Sequence, residues 1–265
     1  MVYTLAFGGD GMFLDAPVSS EAFLTAARTA MDEVVAGEIA GVHKAADLIV
    51  ASLRAGGVIQ TFGSGHSEAT AMEVTGRAGG LVPTNRLALR DIVIHGGESP
   101  DVLFNQHLER EPQTAHRLYE IAGPQAQDIF VVASNSGVNG SIVELAQLVK
   151  ERGHDLIAIT SADHSRHVAS RHPSGGKLGD LADVVLDNGA PYGDVALTLP
   201  EGGGACAISS ITAGLLAQMI TAEVVRRLLD GGDDPPIYLS ANIPGGDEHN
   251  KALEERYAGR IRRIA

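Results

Sequence analysis

The amino-acid sequence predicts an α/β fold built around a parallel β-sheet, and three observations support that class. Short apolar segments rich in β-branched residues are each followed by a polar loop and a helical stretch, which is the pattern of βαβ units. Aromatic residues make up only 4% of the chain and tryptophan is absent, so the core must be aliphatic. Hydrophobic residues make up 44% and charged residues 20%, a balance typical of globular proteins.

The elements follow one another without an obvious linker. The first helix begins at Ser19 or Ser20, either of which can act as an N-cap, and continues to about Arg54. Strands are predicted over 58–62, 81–84, 128–133, 155–160 and 183–187, and further helices over 68–78, 141–152 and 207–229. We therefore expect residues 18–265 to form a single domain, with residues 1–17 as an N-terminal extension.

Composition argues against several classes of partner. The formal net charge of −13 disfavours nucleic acid, which is bound through clustered lysine and arginine. The single cysteine, Cys206, cannot form an intrachain disulfide. Residues 1–20 lack the basic and apolar regions of a signal peptide, and the helix over 207–229 carries too many charges to cross a membrane. We therefore expect a cytoplasmic protein with no nucleic-acid or membrane partner.

The segment Gly63-Ser64-Gly65-His66-Ser67 connects the first strand directly to a helix. Its glycines allow a close approach of backbone to ligand, and the helix N-terminus favours an anion. A dinucleotide fingerprint requires glycine at position 68, where the chain has Glu68, and no P-loop Lys-Ser/Thr pair follows. The loop therefore predicts a small-anion site that includes Ser64, Gly65 and Ser67, with an ordinary turn as the alternative.

Two further polar loops follow later strands. Ser134, Asn135 and Ser136 come directly after the strand over 128–133, with Asn139 just beyond, and Ser161 follows the next strand. The carboxyl ends of parallel strands meet at one edge of a sheet, where ligands bind. We therefore expect all three loops to converge on one ligand.

Basic residues in this acidic chain form an additional candidate group. Arg171, His172 and Lys177 lie close together and could neutralise an anionic ligand, although a solvated loop would have the same composition. His164 and His167 are spaced so that both could bind one metal from a helix, but no third candidate ligand lies at a spacing typical of metal sites. We therefore expect neither a metal nor a cofactor.

Several of these segments resemble the sugar isomerase (SIS) domain, and more closely a bacterial group of SIS-domain phosphosugar-binding proteins. The similar blocks are GSGHSEATAMEVTGRAGGL (63–81), SNSGVNGSIVELA (134–146), ITSADHSRHVASRHPSGGKL (159–178), DVVLDNGAPYGD (183–194) and PPIYLSANIPGGDEHN (235–250). The resemblance covers about residues 20 to 262 and implies one SIS domain over 18–265.

What the resemblance implies is a three-layer sandwich with a five-stranded parallel sheet flanked by helices. It also implies a homodimer or dimer of dimers, and a sugar phosphate bound by the serine loops. By the same resemblance Ser134, Asn135, Ser136 and Asn139 would hold the phosphate, and Ser67 would line the pocket.

The first helix carries an apolar stripe that bears on assembly. Its members recur at spacings of three and four: Val35, Ile39, Val42, Ala46, Ile49 and Leu53. We expect one sheet face to leave part of this stripe uncovered, so that the helix packs partly against a second subunit in a two-fold dimer.

Three residues are candidates for moving protons. Glu73 lies on the helix that leaves the anion loop, within AMEVTGRAGG, which resembles the ELTGR stretch of phosphoheptose isomerases, where the glutamate is functional. His66 lies in the loop itself, and an imidazole can serve as a general acid or base. His249 lies in a polar segment near the C-terminus, and a C-terminal segment closes the site in related isomerase domains. Each has a structural alternative: a surface glutamate, a turn residue and a helix cap.

These residues suggest an enzyme that acts on a hexosamine 6-phosphate, with N-acetylglucosamine 6-phosphate as the first choice. After removal of the C2 proton, loss of the C3 group gives elimination, whereas protonation at C1 gives a ketose. An N-acetyl sugar has no easy route to a ketose, so we favour the lyase or dehydratase over the isomerase. A non-catalytic phosphosugar sensor is the alternative from another class of protein. Regulators with an SIS domain usually carry a further domain, and the 57 residues before the first strand, mostly one helix, argue against that reading.

Overall fold

A five-stranded, all-parallel sheet forms the centre of the protein. The computed structural model describes residues 18–263. The strands are β1 (Ile59–Gly63), β2 (Thr84–Leu87), β3 (Ile129–Ala133), β4 (Leu156–Thr160) and β5 (Val184–Asp187). Their spatial order is β2-β1-β3-β4-β5, and every neighbouring pair is parallel. The predicted α/β class and five-stranded parallel sheet are confirmed.

Helices connect and cover these strands. They are α1 (Ser20–Arg54), α2 (Glu68–Val74), α3 (Asp91–Ile94), α4 (Gln113–Ala122), α5 (Gly140–Glu151), α6 (Ala162–His167), α7 (Leu178–Leu181), α8 (Ser209–Asp230) and α9 (Gly246–Arg256). A short antiparallel ribbon, β6 (Leu197–Thr198) with β7 (Gly204–Ala205), precedes α8. Among the described helices, none is long and apolar enough to span a membrane.

The two faces of the sheet bury separate apolar clusters. Along β3, Ile129 and Val131 point into one cluster and Phe130 and Val132 into the other, as the two-residue period of a strand requires. The first cluster is closed by α1 and α8, and the second by α4 and α5. Because both faces are covered, β1, β3 and β4 are buried along their whole length, which explains the nearly continuous apolar sequences of β3 and β4.

Strand β2 begins three residues later than the sequence pattern predicted. The predicted segment, 81–84, is engaged elsewhere: Leu81 forms a β-bridge with Ile237, and the Val82 N–H donates to the Pro236 carbonyl. The apolar pattern correctly predicted burial, but pairing with a distant C-terminal segment set the register. Pairing with β1 starts only at Thr84.

Helix α1 begins as predicted, with the Ser19 hydroxyl accepting a hydrogen bond from the Ala22 N–H. The apolar stripe is covered only in its later part, where Val42, Ala46 and Ile49 are buried. The earlier half of α1 buries a different face, formed by Ala26, Ala27, Ala30 and Val34. Val35 and Ile39 are therefore 40% and 47% exposed.

Candidate functional site

The order of the strands reverses between β1 and β3, and this point defines the candidate site. From β1 the chain moves outward to β2, then returns to the other side of β1 to form β3. The connecting helices leave a crevice at such a switch point, outside the carboxyl ends of the two strands. The loops that follow β1 and β3 are the glycine- and serine-rich segments 63–67 and 134–137.

A small, shallow cleft lies at this position and opens to solvent. Its lining comes from five parts of the chain: His66, Ser67 and Thr70 after β1; Ala133, Ser134 and Asn135 at the end of β3; Ile159 near the end of β4; Asn188 after β5; and Ser209, Ser210 and Ala213 on α8. Hydroxyl and amide groups dominate this lining. Such groups can hydrogen-bond an anion without carrying charge.

The loop after β1 is shaped by glycine. A Cβ atom at Gly63 would lie 2.3 Å from the Ser67 carbonyl oxygen, so no larger residue fits there. Gly65 has a φ of +56°, in the left-handed region. The resulting turn is closed by a hydrogen bond of 3.2 Å from the Ser67 N–H to the Ser64 carbonyl. It leaves His66 exposed and Ser67 half-buried at the cleft.

The loop after β3 is held by its own first residue. The buried Ser134 hydroxyl accepts a hydrogen bond of 3.1 Å from the Gly137 N–H, and Gly137 has a φ of +67°. Between them, Ser136 is half-buried, and its hydroxyl makes no hydrogen bond with any described residue. The loop therefore combines a fixed backbone with a hydroxyl that is available to a ligand.

Two contributions to the cleft were missed by sequence reasoning. Asn188, after β5, is 3% exposed and donates from Nδ2 to Asn135 Oδ1 at 3.0 Å. Ser209 begins α8, where its hydroxyl donates to Asp194 Oδ2 at 2.6 Å. The only sequence signal for Asn188 was its position directly after a predicted strand. Ser209 and its neighbour Ser210 stand where a predicted helix begins.

Asn139 and Arg171 lie beside the second loop, outside the residues that line the cleft. The Asn139 side chain accepts a hydrogen bond of 3.2 Å from Arg171 Nη1. The first turn of α5, which follows Asn139, faces protein: the Ser141 hydroxyl donates to the Glu109 carbonyl at 2.7 Å. This bond uses one of the five N–H donors of Arg171.

Two predicted binding residues have their polar groups occupied. Ser161 is fully buried; its hydroxyl donates to the Ala190 carbonyl at 2.6 Å and accepts from the His164 N–H at 2.9 Å. The His172 ring contacts Glu144 at 2.6 Å and the Ser174 hydroxyl at 2.7 Å. Neither Ser161 nor His172 lines the cleft, and both connect parts of the scaffold, so their assignment as ligand groups stays a prediction that this arrangement does not favour.

Glu73 lies on α2, three residues beyond the cleft-lining Thr70, and faces α8. Its Oε1 atom accepts from Gln218 Nε2 at 2.7 Å and is also bound by Arg77. Its Oε2 atom makes no hydrogen bond with a described residue. The carboxylate is thus oriented, one helical turn from the cleft lining.

His249 lies at the opposite end of the sheet from the cleft. Its Nε2 atom donates to the Ile237 carbonyl at 3.0 Å, and Ile237 pairs with Leu81. Leu81 precedes β2, at the end where Ile59 begins β1, whereas the cleft follows the carboxyl ends. His249 is therefore distant from the cleft of its own subunit, and its assignment as an acid stays a prediction, with the site of a neighbouring subunit as the alternative.

The two histidines that were candidates for binding a metal form hydrogen bonds within the scaffold instead. His164 Nδ1 accepts from the Gly193 N–H at 3.0 Å, and His167 Nδ1 contacts the Asp163 carbonyl at 2.8 Å. Burial lowers the pKa of His164 despite the opposing charges of Asp194 and Asp163. Within residues 18–263, no group of three or more His, Cys, Asp or Glu side chains is arranged to hold a metal ion.

Comparison with known proteins identifies the class and then the particular family. The SIS domain family model matches residues 22–161, and the chain belongs to that family. Within it the chain belongs to the UPF0309 proteins. It is 42% identical over 246 residues to one from Listeria monocytogenes, covering 90% of this chain and 97% of the relative. It is 37% identical to one from Halalkalibacterium halodurans, covering 84% and 88%.

Solved structures agree on the fold. A phosphoheptose isomerase from Francisella tularensis superposes with a TM-score of 0.55 at 18% identity, covering 78% of this chain and 96% of that one. A phosphoheptose isomerase from Neisseria gonorrhoeae gives a TM-score of 0.52 at 20% identity, with the same coverage. The three-layer SIS architecture predicted from the sequence is confirmed.

Proposed function

We propose that this protein is an enzyme that binds a hexosamine 6-phosphate, N-acetylglucosamine 6-phosphate in the first instance, and removes its C2 proton to start a β-elimination. The observation that carries the proposal is the cleft at the β1–β3 switch point, whose lining is mostly hydroxyl and amide groups. The phosphate would occupy this cleft, and the sugar would extend from it toward α2 and α8.

Phosphate binding is assigned to the two serine loops. Ser67, Ser134 and Asn135 line the cleft. Ser136 follows Asn135 in the same loop, just before Gly137, and its hydroxyl makes no hydrogen bond with a described residue. Fixed backbone loops that carry hydroxyl and N–H donors can hold a phosphate dianion without a nearby lysine. This mode of binding suits a chain whose formal net charge is −13.

Proton removal is assigned to Glu73. Gln218 and Arg77 hold one carboxylate oxygen and leave the other without a described partner, which is how a general base is kept oriented and available. The C2 carbon of a hexose 6-phosphate lies four carbons away from the phosphate-bearing C6. Glu73 lies three residues beyond the cleft-lining Thr70, which is about 4.5 Å along the axis of α2. Its carboxylate is therefore displaced from the phosphate position, as the C2 carbon of the sugar is.

His66 is assigned the second proton transfer. It is exposed at the mouth of the cleft and belongs to the phosphate loop itself. When the C2–H bond breaks, a C2=C3 double bond forms and the C3–O bond breaks. The C3 oxygen leaves with its electron pair and accepts a proton, which a protonated imidazole can supply. For N-acetylglucosamine 6-phosphate the leaving group is then water.

The favoured outcome is elimination, with aldose–ketose isomerisation as the alternative that the isomerase-like fold keeps open. Purified protein incubated with a panel of hexosamine and hexose 6-phosphates, followed by proton NMR, separates them. We expect loss of the C3 proton's coupling pattern and formation of an unsaturated sugar. A ketose product would contradict elimination, and binding without any turnover would assign the protein to the phosphosugar sensors.

A further inference from the structure

A second cavity, separate from the cleft, lies on the β2 side of the protein. It has a volume of about 310 Å³, opens to solvent, and is lined by Met72, Thr75, Gly76, Arg77, Arg86, Asp91, His95, Arg262 and Arg263. None of these residues lines the cleft. The cavity is formed by the end of α2, the edge strand β2, helix α3 and the C-terminal segment. Four distant parts of the chain therefore form the cavity, and three of them contribute one arginine or more.

The charge of this lining is unusual for the chain as a whole. Four arginines and a histidine line the cavity against one acid, Asp91, although the formal net charge of the chain is −13. The Asp91 side chain is 4% exposed and accepts from the Ala88 N–H at 2.9 Å, so it is bound to its own turn. The groups presented to the cavity are mainly guanidinium groups.

Two of these guanidinium groups, those of Arg77 and Arg86, lie beside glutamates that do not line the cavity. Glu73 binds Arg77 on one side of the cavity. Glu68 binds Arg90 at 2.9 Å and lies 3.8 Å from Arg86. Such pairing holds each guanidinium in place through one or two of its five N–H donors and leaves the others for a ligand.

Arg263 is held in place by hydrogen bonds to neutral groups. Its Nη1 and Nη2 atoms each donate to backbone carbonyls, of Thr84 and Val82, at 2.7 Å. Its Nε atom donates to the Tyr238 hydroxyl at 2.6 Å. The C-terminal segment is thereby attached to the start of β2, which keeps the neighbouring Arg262 at the cavity.

Arg262 is the group that points to a ligand. One of its terminal nitrogens, Nη2, is buried and has no hydrogen-bond partner among residues 18–263. No carboxylate of the described chain lies within 4.0 Å of this arginine either. A buried, unpaired guanidinium nitrogen is costly. Because Arg262 also lines the cavity, a turn of its side chain toward an anion there would give this nitrogen a partner.

We infer that this arginine cavity is a binding site for a phosphorylated metabolite carrying two or more negative charges. Planar guanidinium forks match the oxygen geometry of phosphate, and several converging arginines favour a phosphate dianion over a single carboxylate. The volume exceeds that of inorganic phosphate alone and accommodates a sugar phosphate or a diphosphate. The site acts in addition to the serine-loop cleft and does not depend on the reaction proposed there.

The test is calorimetry at constant ionic strength with pyrophosphate as the probe. Wild-type protein is expected to bind one pyrophosphate in the cavity and another in the cleft. Arg262→Gln should weaken the first by about tenfold, which is the loss expected for hydrogen bonds to a charged group. Ser136→Ala should weaken only the second. Arg256→Gln, which removes an exposed arginine of α9 outside the cavity, is the matched control and should bind both as wild type does.

Each other outcome decides the inference. Unchanged pyrophosphate binding in folded Arg262→Gln protein overturns it, as does a wild-type titration with the cleft site alone. If Arg262→Gln fails to fold, Arg86→Gln replaces it, because Arg90 still pairs with Glu68 in that variant. Titrations with orthophosphate and N-acetylglucosamine 6-phosphate distinguish inorganic phosphate from a phosphate ester as the occupant. Tighter binding of malonate than of pyrophosphate contradicts the phosphate assignment.

Discussion

Single hydroxyl groups at and beside the cleft differ in whether they are engaged, and the hydroxyl of Ser136, next to the lining residue Asn135, makes no hydrogen bond with a described residue. Replacing it with alanine removes a donor to the ligand without breaking a described bond of the protein. Ser136→Ala should weaken sugar-phosphate binding by about 1 to 2 kcal/mol, by a similar factor for different sugars, because a phosphate contact does not sense the ring. Calorimetry against several sugar phosphates measures this, with Ser165→Ala on α6 as control. Unchanged affinity in a folded protein would remove Ser136 from the site.

Ser161 provides the opposite case. Its hydroxyl is fully buried and bonded to Ala190 and His164, so its removal leaves a buried carbonyl and a helix N–H without their partner. Ser161→Ala should lower the free energy of unfolding by about 1 to 3 kcal/mol, measured by urea titration. A variant with wild-type stability and weakened ligand binding would restore Ser161 as a ligand group.

The role of Glu73 can be separated from a structural one by proton exchange. Glu73→Gln keeps the shape of the side chain but cannot accept a proton, so exchange of the C2 proton with deuterated solvent should fall by about two to four orders of magnitude. Ligand affinity should change little. Gln218→Glu is not a suitable control because it adds a charge; Gln218→Met, which removes one of the two groups that hold the carboxylate, should give a smaller loss.

The outcome that contradicts this assignment is specific. Wild-type exchange in a well-folded Glu73→Gln protein would exclude Glu73 as the base. His66, which lines the cleft, would then be the first candidate. A lowered melting temperature with normal exchange per folded molecule would mean that Glu73 only joins α2 to α8.

At the level of elements, Glu144 on α5 connects three parts of the scaffold. It contacts His116 of α4 and His172 of the loop after α6, each at 2.6 Å. Burial would raise the pKa of the Glu144 carboxyl, but the hydrogen bonds and charges of His116 and His172 outweigh it and hold the pKa below 4.5. The ionised form is therefore the one that stabilises this junction.

The pH dependence follows from the sign of that shift. A carboxyl whose folded pKa is lowered stabilises the protein fully above its unfolded pKa, and the effect is lost as the pH falls through the folded value. At about pH 6 the wild type should therefore have a higher melting temperature than Glu144→Gln, and this difference in melting temperature should shrink toward about pH 3. Glu151→Gln, at the exposed end of α5, is the control and should show no such convergence. A pH-independent difference would exclude Glu144 ionisation as its source.

At the level of the whole molecule, the uncovered part of α1 bears on assembly. Val35 and Ile39 project from the first half of α1, away from the face that packs on the rest of the chain. We propose that a second copy covers them in a two-fold dimer, because exposed apolar residues on one face mark an interaction surface.

Two matched variants test this assembly. Ile39→Lys should shift the protein from dimer to monomer at micromolar concentration, as measured by light scattering. Ile243→Lys is the control, since Ile243 is 48% exposed, nearly the same as the 47% of Ile39, but lies in the segment before α9. A monomeric wild type, or a dimer that Ile39→Lys leaves intact, would exclude the α1 surface.

Local patterns in the sequence determined the elements and two of the three ligand loops. Continuous apolar strands identified a sheet covered on both faces, and glycine with serine after β1 and β3 identified the switch-point loops. These features could be predicted because each depends on neighbours within a few residues. The conformations of Gly63, Gly65 and Gly137 are likewise consequences of local geometry.

Tertiary structure alone decided which polar groups face the cleft. Ser161 and Ser136 look alike in sequence, but Ala190, 29 residues away, occupies the hydroxyl of Ser161. Asn188 and Ser209 reach the cleft through β5 and α8, and His249 is taken to the far end of the sheet by pairing of its neighbour Ile237. Whether a side chain is free for a ligand depends on partners distant in sequence, because burial and hydrogen bonding are set by packing between elements.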